Sequence, residues 1–576
     1  MPPRTASEDG LRPAGTALRG LAALGFALPV AAYFWLIQHY AVNVVFLDQW
    51  SDVDLIGRSY SGSLTFGALW AQHSEHRMLI PNLVVVMLGR TLHLDIVLEE
   101  YLSALLLCLA ALLIVWAHKR RSPSLPWIAY CPVALLMLSL VQSESTLFGF
   151  QLAWYLVLFM LAAALFLLDG RVLSGLALGG AIAAAVLGSF SSLQGLLIWP
   201  VGLLLLYHRR RTWSQVLIWS LAATFTLIAY THRFNSQEGV PSYLSGLHLP
   251  GAAVRSFFQV IGDVLGVHLS TNSGVSNAIE IFGVLIFLIA ISAAVTRGVR
   301  RDDSSGAPIG VALICFGILY AVGFAYGRAF AGPGTASASQ YTTFTLLIVV
   351  GSYLALLGPP LKRRSPRSLA HHAYYGVGAL LIAAIGLQLA FGSVDGIRVA
   401  RNFHRTQVRA AVVTAGIDKV PDALLASSLG TSGLPPALVR SYARVLEVHR
   451  LSLYDSGAIS SYERTAQADE KRGLFSYTPP PVTEVLRPFD NQTLTGRVTL
   501  DAGVRAGVRT AGVGFVLAGT GGQEMELGAA KVTYTGWILH WNTTSVANGR
   551  YRLQSVLSGT QGATTRSAPI TVNVEN

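Results

Sequence analysis

The densest group of residues capable of acid–base chemistry follows the first long apolar segment of the chain. The string Phe46-Leu-Asp-Gln-Trp-Ser-Asp-Val-Asp54 supplies three carboxylates, Asp48, Asp52 and Asp54. Asp48 is the first acid beyond the apolar segment, and a carboxylate at such a boundary can take a proton from a reacting hydroxyl. Asp52 and Asp54 offer the same chemistry a few residues later, so the choice between Asp48 and Asp52 as a base stays open.

A second group follows about twenty residues later. The string Trp70-Ala-Gln-His-Ser-Glu-His-Arg77 places two imidazoles, a carboxylate and a guanidinium within five residues. Glu75 and His76 are candidates for a second acid or base, and Arg77 and His73 are candidates for binding a phosphate. Two interpretations compete with this one. The charges could simply solvate a loop, or Asp, His and Glu could ligate a divalent metal ion, although their spacing matches no metal motif.

Further polar residues lie at the ends of later apolar segments. Glu144 and Gln151 join two such segments, Gln194 precedes a third, and Tyr341 begins a fourth. Capping of helix ends explains residues of this kind without any function. Arg328 is different, because it is the single basic residue of its loop and precedes glycines that allow a close backbone approach. It is therefore a second candidate for binding phosphate.

These groups are embedded in a very apolar chain. Hydrophobic residues make up 52% of the 576 residues and charged residues only 12%, whereas a soluble domain carries roughly 25% charged residues. The composition excludes a water-soluble globule, a collagen and a disordered chain, and it indicates a polytopic membrane protein. Cys108, Cys131 and Cys315 lie in apolar runs, so we expect them to pack as small core residues rather than to form disulfides.

A membrane-spanning helix needs about 20 apolar residues, and eleven segments come close enough to be predicted as spans. With the N-terminus in the cytoplasm, the inner loops hold 17 of the 23 Lys and Arg residues that precede position 393, in accord with the positive-inside rule. The net charge of +12 thus reflects topology and does not indicate a nucleic-acid partner. The predicted spans are 17–38, 96–117, 126–142, 150–168, 172–189, 195–207, 214–231, 277–296, 307–325, 341–361 and 371–392.

The chain divides into three predicted parts. Residues 1–392 form the transmembrane domain, whose outer loops contain two apolar helices too short to span, 79–89 and 252–267. Residues 393–481 form an extracytoplasmic helical segment that ends in a stiff proline-rich linker. Residues 482–576 alternate apolar and polar positions in short stretches separated by Gly, Asn and Thr, which is typical of a β-sandwich.

Within the helical segment, the apolar spacing predicts separate helices over 399–415 and 436–454. Within the β-rich part, the segment Trp541-Asn-Thr-Thr-Ser-Val-Ala-Asn-Gly-Arg-Tyr-Arg-Leu553 resembles the repeated core of bacterial Ig-like domains. The resemblance implies an all-β Ig-like sandwich that binds a ligand or acts as a spacer. The predicted fold class is therefore mainly α, a polytopic membrane helix bundle of about eleven spans with a C-terminal Ig-like sandwich.

The layout of the membrane part resembles the GT-C superfamily of polyprenyl-phosphate-sugar glycosyltransferases. The features that carry the resemblance are a first span, an acidic residue at its outer end and a long loop with short apolar helices. Eleven spans followed by an extracytoplasmic domain are similar to the actinobacterial arabinofuranosyltransferases in particular. The Gln-His-Ser-Glu-His-Arg and Gly-Phe-Gln strings are also similar to those of bacterial membrane proteins related to these enzymes. The family's paired acids are absent at Asp48 and present only at Asp52-Val-Asp54.

The resemblance implies a glycosyltransferase of the bacterial cell membrane that moves a sugar from a polyprenyl phosphate to a cell-envelope glycan or lipid outside. Asp48, or else Asp52, would be the base, and Arg77 and Arg328 would hold the donor phosphate with help from histidine. No cofactor is expected and no metal ligands are assigned, although a divalent ion stays possible. A transporter or flippase of lipid-linked glycans, and a scaffold that works through the Ig-like domain, are the alternatives.

Overall fold

The computed structural model describes most of the chain, with gaps. Three features of the sequence lie outside the described residues: the glycines that follow Arg328, the basic residues 362–367, and the proline-rich linker 477–481. The end of the predicted span 341–361 also lies outside them, from residue 358 on. The described ranges are 12–234, 247, 249–267, 273–298, 305–328, 338–357, 369–431, 434–455, 457–475, 482–504, 510–519, 522–533, 536–560 and 562–576.

Helices dominate the described residues up to position 475. They are α1 Arg12–Tyr40, α2 Trp50–Tyr60, α3 Phe66–Leu69, α4 Leu79–Thr91, α5 Ile96–Arg121, α6 Cys131–Met137, α7 Ser143–Thr146, α8 Leu152–Leu168, α9 Gly175–Ser189, α10 Ile198–His208, α11 Trp213–Thr231, α12 Pro250–Gly262, α13 Ser273–Gly298, α14 Ala307–Arg328, α15 Thr342–Leu356, α16 Leu369–Ala415, α17 Asp422–Leu429, α18 Pro436–Val448 and α19 Ile459–Lys471. Short 3₁₀ turns precede several of them, including Leu47–Gln49 before α2 and Gly149–Gln151 before α8.

Nine helical segments among the described residues are long and apolar enough to cross a membrane. Some large apolar side chains on them are exposed, such as Trp213 and Phe225, which indicates contact with lipid rather than with water. The predicted spans 172–189 and 195–207 coincide with shorter apolar helices, so helix length alone supports nine spans and not eleven. The nine are Ala17–Tyr40, Ile96–Arg121, Trp127–Thr146, Gly149–Leu168, Trp213–Thr231, Ser276–Arg297, Ala307–Arg328, Ser339–Leu356 and Tyr375–Ala415.

At one end of the bundle, a buried aspartate after α8 forms hydrogen bonds with arginines at the ends of α5 and α10. Asp169 follows α8, is fully buried, and accepts hydrogen bonds from Arg209 (Nε to Oδ1, 2.6 Å) and from Arg120 (Nε to Oδ2, 3.3 Å). Arg121 donates to the main-chain oxygens of Asp169 and Gly170 at 2.6 and 2.9 Å. A carboxylate held by several guanidiniums keeps its charge at low cost. We call the end of the bundle that carries residues 41–95 the loop side; Asp169 lies at the opposite end.

The last membrane helix continues well beyond the predicted boundary. A break was expected between residues 392 and 399, but α16 runs without interruption for 47 residues, from Leu369 to Ala415. Gly392 and Gly396 weaken a helix by only about 1 kcal/mol each, and the chain uses Gly396 for packing: a Cβ there would lie 2.0 Å from the carbonyl oxygen of Leu140. The predicted domain boundary at 392 is thus inside a helix.

The polar helices after the membrane part do not form a unit of their own. One hydrophobic cluster combines side chains of the first long loop, such as Trp50 and Ile56, with side chains of the later helices, such as Leu425 and Leu446. The C-terminal half of α16, α17 and α18 therefore cover α2 and the loop around it. This cover fixes the loop that carries the first group of acids.

The C-terminal residues form two β-sheets around one hydrophobic cluster, to which both sheets contribute, Leu500 and Trp541 from one and Phe515 and Leu553 from the other. The strands are β1 Gln72–His73 and β2 His76–Arg77 in the first loop, then β3 Thr483–Arg487, β4 Gln492–Leu494, β5 Arg497–Val504, β6 Thr510–Ala518, β7 Glu524–Ala529, β8 Lys531–Thr533, β9 Gly536–Asn542, β10 Gly549–Gly559, β11 Thr564–Arg566 and β12 Ile570–Val574. The strand order is β4-β12-β10-β6-β7, with β11 beside β10, in the larger sheet and β3-β5-β9-β8 in the smaller.

The orientation of the bundle can be tested by labelling two exposed positions at its two ends. In a variant without cysteine, Arg210→Cys lies just after α10 at the end opposite the loop side, and Lys531→Cys lies in β8. An impermeant thiol reagent should label Lys531→Cys in intact cells and spare Arg210→Cys, because the basic residues near position 210 favour the cytoplasm. Permeabilised cells should label both. Labelling of Arg210→Cys but not Lys531→Cys in intact cells would reverse the orientation.

Candidate functional site

A small hairpin on the loop side carries four of the predicted residues. β1 and β2 pair antiparallel, with Gln72 opposite Arg77 and His73 opposite His76. Ser74 at the turn has a φ of 49°, a left-handed conformation that is uncommon for residues other than glycine. Such a tight turn brings the whole string into a fixed geometry, so these side chains are not a loosely solvated loop.

Arg77 anchors the hairpin to the end of α11. Its buried guanidinium donates from Nη2 to the His232 carbonyl oxygen (2.7 Å), from Nη1 to that of Trp70 (2.9 Å) and from Nε to that of Tyr230 (3.3 Å). The Tyr230 hydroxyl donates in turn to the carbonyl oxygen of Glu75 at 2.9 Å. A phosphate contact of Arg77, as the sequence predicts, would have to replace these bonds. The geometry favours a positioning role for Arg77.

Glu75 and His76 face residues that are far away in the sequence. Arg328, the last residue of α14, donates from Nη2 to Glu75 Oε1 at 2.7 Å, and His76 Nε2 lies 3.7 Å from the same oxygen. The other ring nitrogen of His76, Nδ1, accepts from the Leu193 main-chain N–H at 3.2 Å, with Ser192 Oγ at the same distance. Because Nδ1 is an acceptor, the proton of the neutral ring lies on Nε2 and points towards Glu75.

The charges of this cluster follow from its burial and its partners. Burial opposes the ionisation of Glu75, but His76 and Arg328 outweigh it and lower the pKa of the Glu75 carboxyl. Burial lowers the pKa of His76 to about 4, with His73 and Arg328 acting in the same direction and Glu75 against it. At neutral pH the site holds a carboxylate, a guanidinium and a neutral imidazole. Arg328 is then the charge that balances Glu75.

The short turn Gly149–Gln151 connects the hairpin to the first group of acids. The Phe150 ring lies 5.1 Å from the ring of His73. A Cβ on Gly149 would lie 2.5 Å from Glu99 Oε2 and 2.6 Å from Gln49 Nε2, and these two atoms form a hydrogen bond of 3.4 Å. A side chain at position 149 would have to displace the ends of both side chains and break their hydrogen bond, and the contact shows that the two groups are neighbours.

The three aspartates of the first group occupy different environments. Asp52 is buried in α2, and its burial and the charge of Asp48 raise its pKa well above the ordinary value. Asp48 is exposed, so solvent or a substrate can reach it. Asp54 points outward and pairs with Arg58 at 2.7 Å. The geometry therefore favours Asp48 as a base and shows Asp54 in an ordinary surface pair.

The remaining predicted residues lie where three helices meet. Gln151 Nε2 donates to Gln340 Oε1 at 3.2 Å, and the main-chain N–H of Glu144 donates to Ser339 Oγ at 3.4 Å. The ring of Tyr341 packs against that of Phe324 with a centroid distance of 4.6 Å. Phe324 is one turn before Arg328 on α14, so this junction adjoins the hairpin.

Gln194 lies at the edge of the hairpin cluster. Its Oε1 accepts from the Ser192 hydroxyl at 2.5 Å, and the same hydroxyl contacts His76. The Gln194 side chain does not cap a helix end; it accepts from the hydroxyl that lies 3.2 Å from His76 Nδ1. We place Gln194 with His76 and Ser192 rather than with the helix end.

The sequence analysis does not single out two buried acids, Glu99 and Glu100, in the first turns of α5. The signal that could have found them is a pair of charged residues inside the predicted span 96–117. Across the described ranges, no group of three or more His, Cys, Asp or Glu side chains has the geometry to hold a metal ion.

Comparison with known proteins adds no assignment. No family model matches the chain and no curated protein matches it. Among solved structures, the chain has a partial similarity to an endo-β-1,4-mannanase from Thermotoga petrophila, with 16% identity over 24% of each chain and a TM-score of 0.15. A similarity this weak carries no argument about fold or function. The geometry of the site has to carry the functional proposal.

The buried state of His76 can be tested through pH. Its folded pKa of about 4 is below the ordinary 6.5, so the unfolded chain binds the proton first and stability falls as pH drops from about 6.5 to 4, by about 3 kcal/mol. His76→Asn keeps an acceptor for the Leu193 N–H and cannot titrate, so its thermal unfolding midpoint should fall less over this range. The exposed His93→Asn should behave like wild type. Equal acid sensitivity of His76→Asn and wild type would contradict the assignment.

Proposed function

We propose that this protein is an integral membrane glycosyltransferase that takes a sugar from a polyprenyl phosphate and passes it to an acceptor outside the cell membrane. The observation that supports it is the meeting, on one side of an apolar helix bundle, of a reachable carboxylate and a pair of N–H donors, a guanidinium and a neutral imidazole. Asp48 supplies the first, and Arg328 with His76 supplies the second. The turn Gly149–Gln151 lies between them.

The reaction needs few groups because a lipid-linked sugar is already activated. The acceptor hydroxyl attacks the anomeric carbon, the bond from that carbon to the phosphate oxygen breaks, and the hydroxyl proton passes to the carboxylate of Asp48. Asp52 holds its proton to higher pH than an exposed aspartate, so it adds little negative charge beside the base. Polyprenyl phosphate leaves with the electron pair of the broken bond.

Arg328 and His76 fit the leaving group. Charge grows on the phosphate as the bond breaks, so cationic and N–H donors stabilise the transition state more than the ground state. We propose that the guanidinium of Arg328, which bonds to Glu75 through Nη2, contacts the phosphate of the donor. Glu75 keeps Arg328 in place, and the Nε2 proton of the neutral His76 is a second donor. Arg77 contributes by holding the hairpin.

The proposal includes a topology. We propose eleven spans, counting α9 and the 193–208 segment, which are shorter than an ideal span but connect the two ends of the bundle. The N-terminus is cytoplasmic and the loop side is outside a bacterial membrane, where nucleotides are absent and lipid-linked donors are available. The two C-terminal sheets would then be an Ig-like module that binds the acceptor or spaces the enzyme from the envelope.

A membrane transporter is the second candidate, and one observation favours it. Glu99 and Glu100 are buried inside the helix bundle, and ionisable residues in such positions often mark the path of an ion or proton through a transporter. Against this, the other charged candidates lie at the loop side rather than along the bundle. If the protein is a transporter of lipid-linked glycans, it does not need Asp48 as a base, and a conservative change of Asp48 would leave the envelope glycans intact.

The transferase proposal predicts different degrees of lost glycan transfer for different variants. Each variant is expressed in a deletion strain, and the envelope glycans and lipids of that strain are analysed. Asp48→Asn keeps its size and removes the base, so glycan transfer should fall by about 10²–10⁴. Arg328→Ala should also weaken use of the donor, because a phosphate loses a charge-assisted partner. Asp422→Asn, an exposed residue paired with Arg440 at 2.6 Å on the later helices, should complement like wild type.

Protein level is the control for each of these strains. Each variant has to reach the membrane at wild-type abundance and keep its thermal unfolding midpoint. Loss of glycan transfer in Asp52→Asn, together with normal transfer in Asp48→Asn, would identify Asp52 rather than Asp48 as the base. Normal glycans with both Asp48→Asn and Asp52→Asn would remove the transferase proposal and leave transport as the better one.

A further inference from the structure

Three buried polar side chains at the start of α5 carry oxygen atoms without hydrogen-bond partners in the described part of the chain, and the proposed reaction does not use them. Glu99, Glu100 and Ser103 are exposed to only 1%, 0% and 2%. Glu99 Oε1, both carboxylate oxygens of Glu100 and Ser103 Oγ have no hydrogen-bond partner within the described structure. Buried polar atoms are nearly always satisfied, so four orphan oxygens in five residues need an explanation.

These atoms lie on adjoining parts of one helix surface. Ser103 is three residues after Glu100 and four after Glu99, which are the spacings at which helical side chains are neighbours. Side chains on a helix lean towards its N-terminus, so the Ser103 hydroxyl leans towards the two carboxylates. The unsatisfied Ser103 hydroxyl is an observation independent of the acids. The hydroxyl is uncharged, so its lack of a hydrogen-bond partner is not a consequence of their charge.

Neither extreme protonation state satisfies the group. If both glutamates are ionised, two negative charges are buried without a counter-ion, which costs several kcal/mol per ion. If both are protonated, their new O–H donors and Ser103 still have too few partners. Gln49 satisfies only Glu99 Oε2, at 3.4 Å. No Lys, Arg or His forms an ion pair with Glu99 or Glu100 in the part of the chain that the structure describes.

A bound cation resolves both the charge and the orphan oxygens. Carboxylate and hydroxyl oxygens are ligands for hard cations. With one glutamate ionised and the other protonated, the two acids and the serine carry one negative charge, which a single positive charge balances. Among the described residues, no group of three acidic or histidine ligands occurs that would suit an ion of higher charge. We propose that Glu99, Glu100 and Ser103 form a binding site for a small monovalent cation, which enters from the loop side.

Two features of the surroundings bear on this site. The N-terminus of a helix carries about half a positive charge, which opposes a cation, but the full negative charge of one ionised glutamate outweighs it. On the loop side, Gln49 bonds to Glu99 and packs against Gly149. Gln49 is next to Asp48, so binding of a cation to Glu99 would change the hydrogen bond that positions the loop carrying Asp48. The proposal does not depend on the transferase, since a transporter could hold the same ion.

The test uses the full-length chain in detergent and Na⁺ as the probe. Thermal unfolding is followed at constant ionic strength while NaCl replaces choline chloride, and binding of ²²Na⁺ is measured directly at equilibrium. A ligand that binds the folded state stabilises it in proportion to the logarithm of its concentration, so the midpoint should rise by about 2 °C or more and then continue to rise slowly. Wild type should bind about one Na⁺ per chain.

Variants decide whether this site is responsible. Glu100→Gln and Ser103→Ala should lose the Na⁺-dependent part of the midpoint and bind at least tenfold less ²²Na⁺, while the exposed Glu463→Gln keeps both. If Glu100→Gln does not fold, Ser103→Ala, which removes one hydroxyl, carries the test. The proposal is overturned if wild type neither binds ²²Na⁺ nor responds to Na⁺, if Mg²⁺ alone stabilises it, or if Ser103→Ala binds Na⁺ like wild type.

Discussion

The arrangement of the loop side depends on where the buried guanidinium of Arg77 can find acceptors. The last carbonyls of a helix have no partners inside it, and α11 offers those of Tyr230 and His232 to Arg77 at 3.3 and 2.7 Å. A hydrogen bond to a charged group contributes about 1.5–3 kcal/mol, so several such bonds make this attachment strong. With Arg77 fixed, the two-residue strands place Glu75 opposite Arg328 and His76 opposite Ser192.

Close backbone approaches bring the other parts to the same place. Gly149 allows the turn before α8 to lie on the Gln49–Glu99 hydrogen bond, and Gly396 allows α16 to lie on the Leu140 carbonyl. Because α16 continues past the membrane, its far half forms the cover over α2. The acids, the hairpin and the cover are therefore held by one set of packed helices, although they come from distant parts of the sequence.

Hydrophobic length predicted most of the fold, since the nine long apolar helices all coincide with predicted spans. It could not predict the continuity of α16, because glycine lowers helix propensity in the sequence and yet permits packing in the structure, as at Gly396. The site residues were recognised as a group, but their roles needed geometry. Only the structure shows that Arg77 is used by main-chain carbonyls while Arg328 reaches Glu75, and that Glu99 and Glu100 turn inward.

The central claim is that a lipid-linked sugar binds on the loop side between the hairpin and the Asp48 loop. Photo-crosslinking measures this directly: membranes containing the full chain are irradiated with a photoreactive polyprenyl-phosphate sugar, and the labelled peptides are identified by mass spectrometry. The account predicts labelled peptides that contain 47–52, 72–77 or Arg328, all suppressed by excess polyprenyl phosphate. Labelling confined to peptides near Asp169 at the opposite end, or labelling that excess polyprenyl phosphate does not suppress, would contradict it.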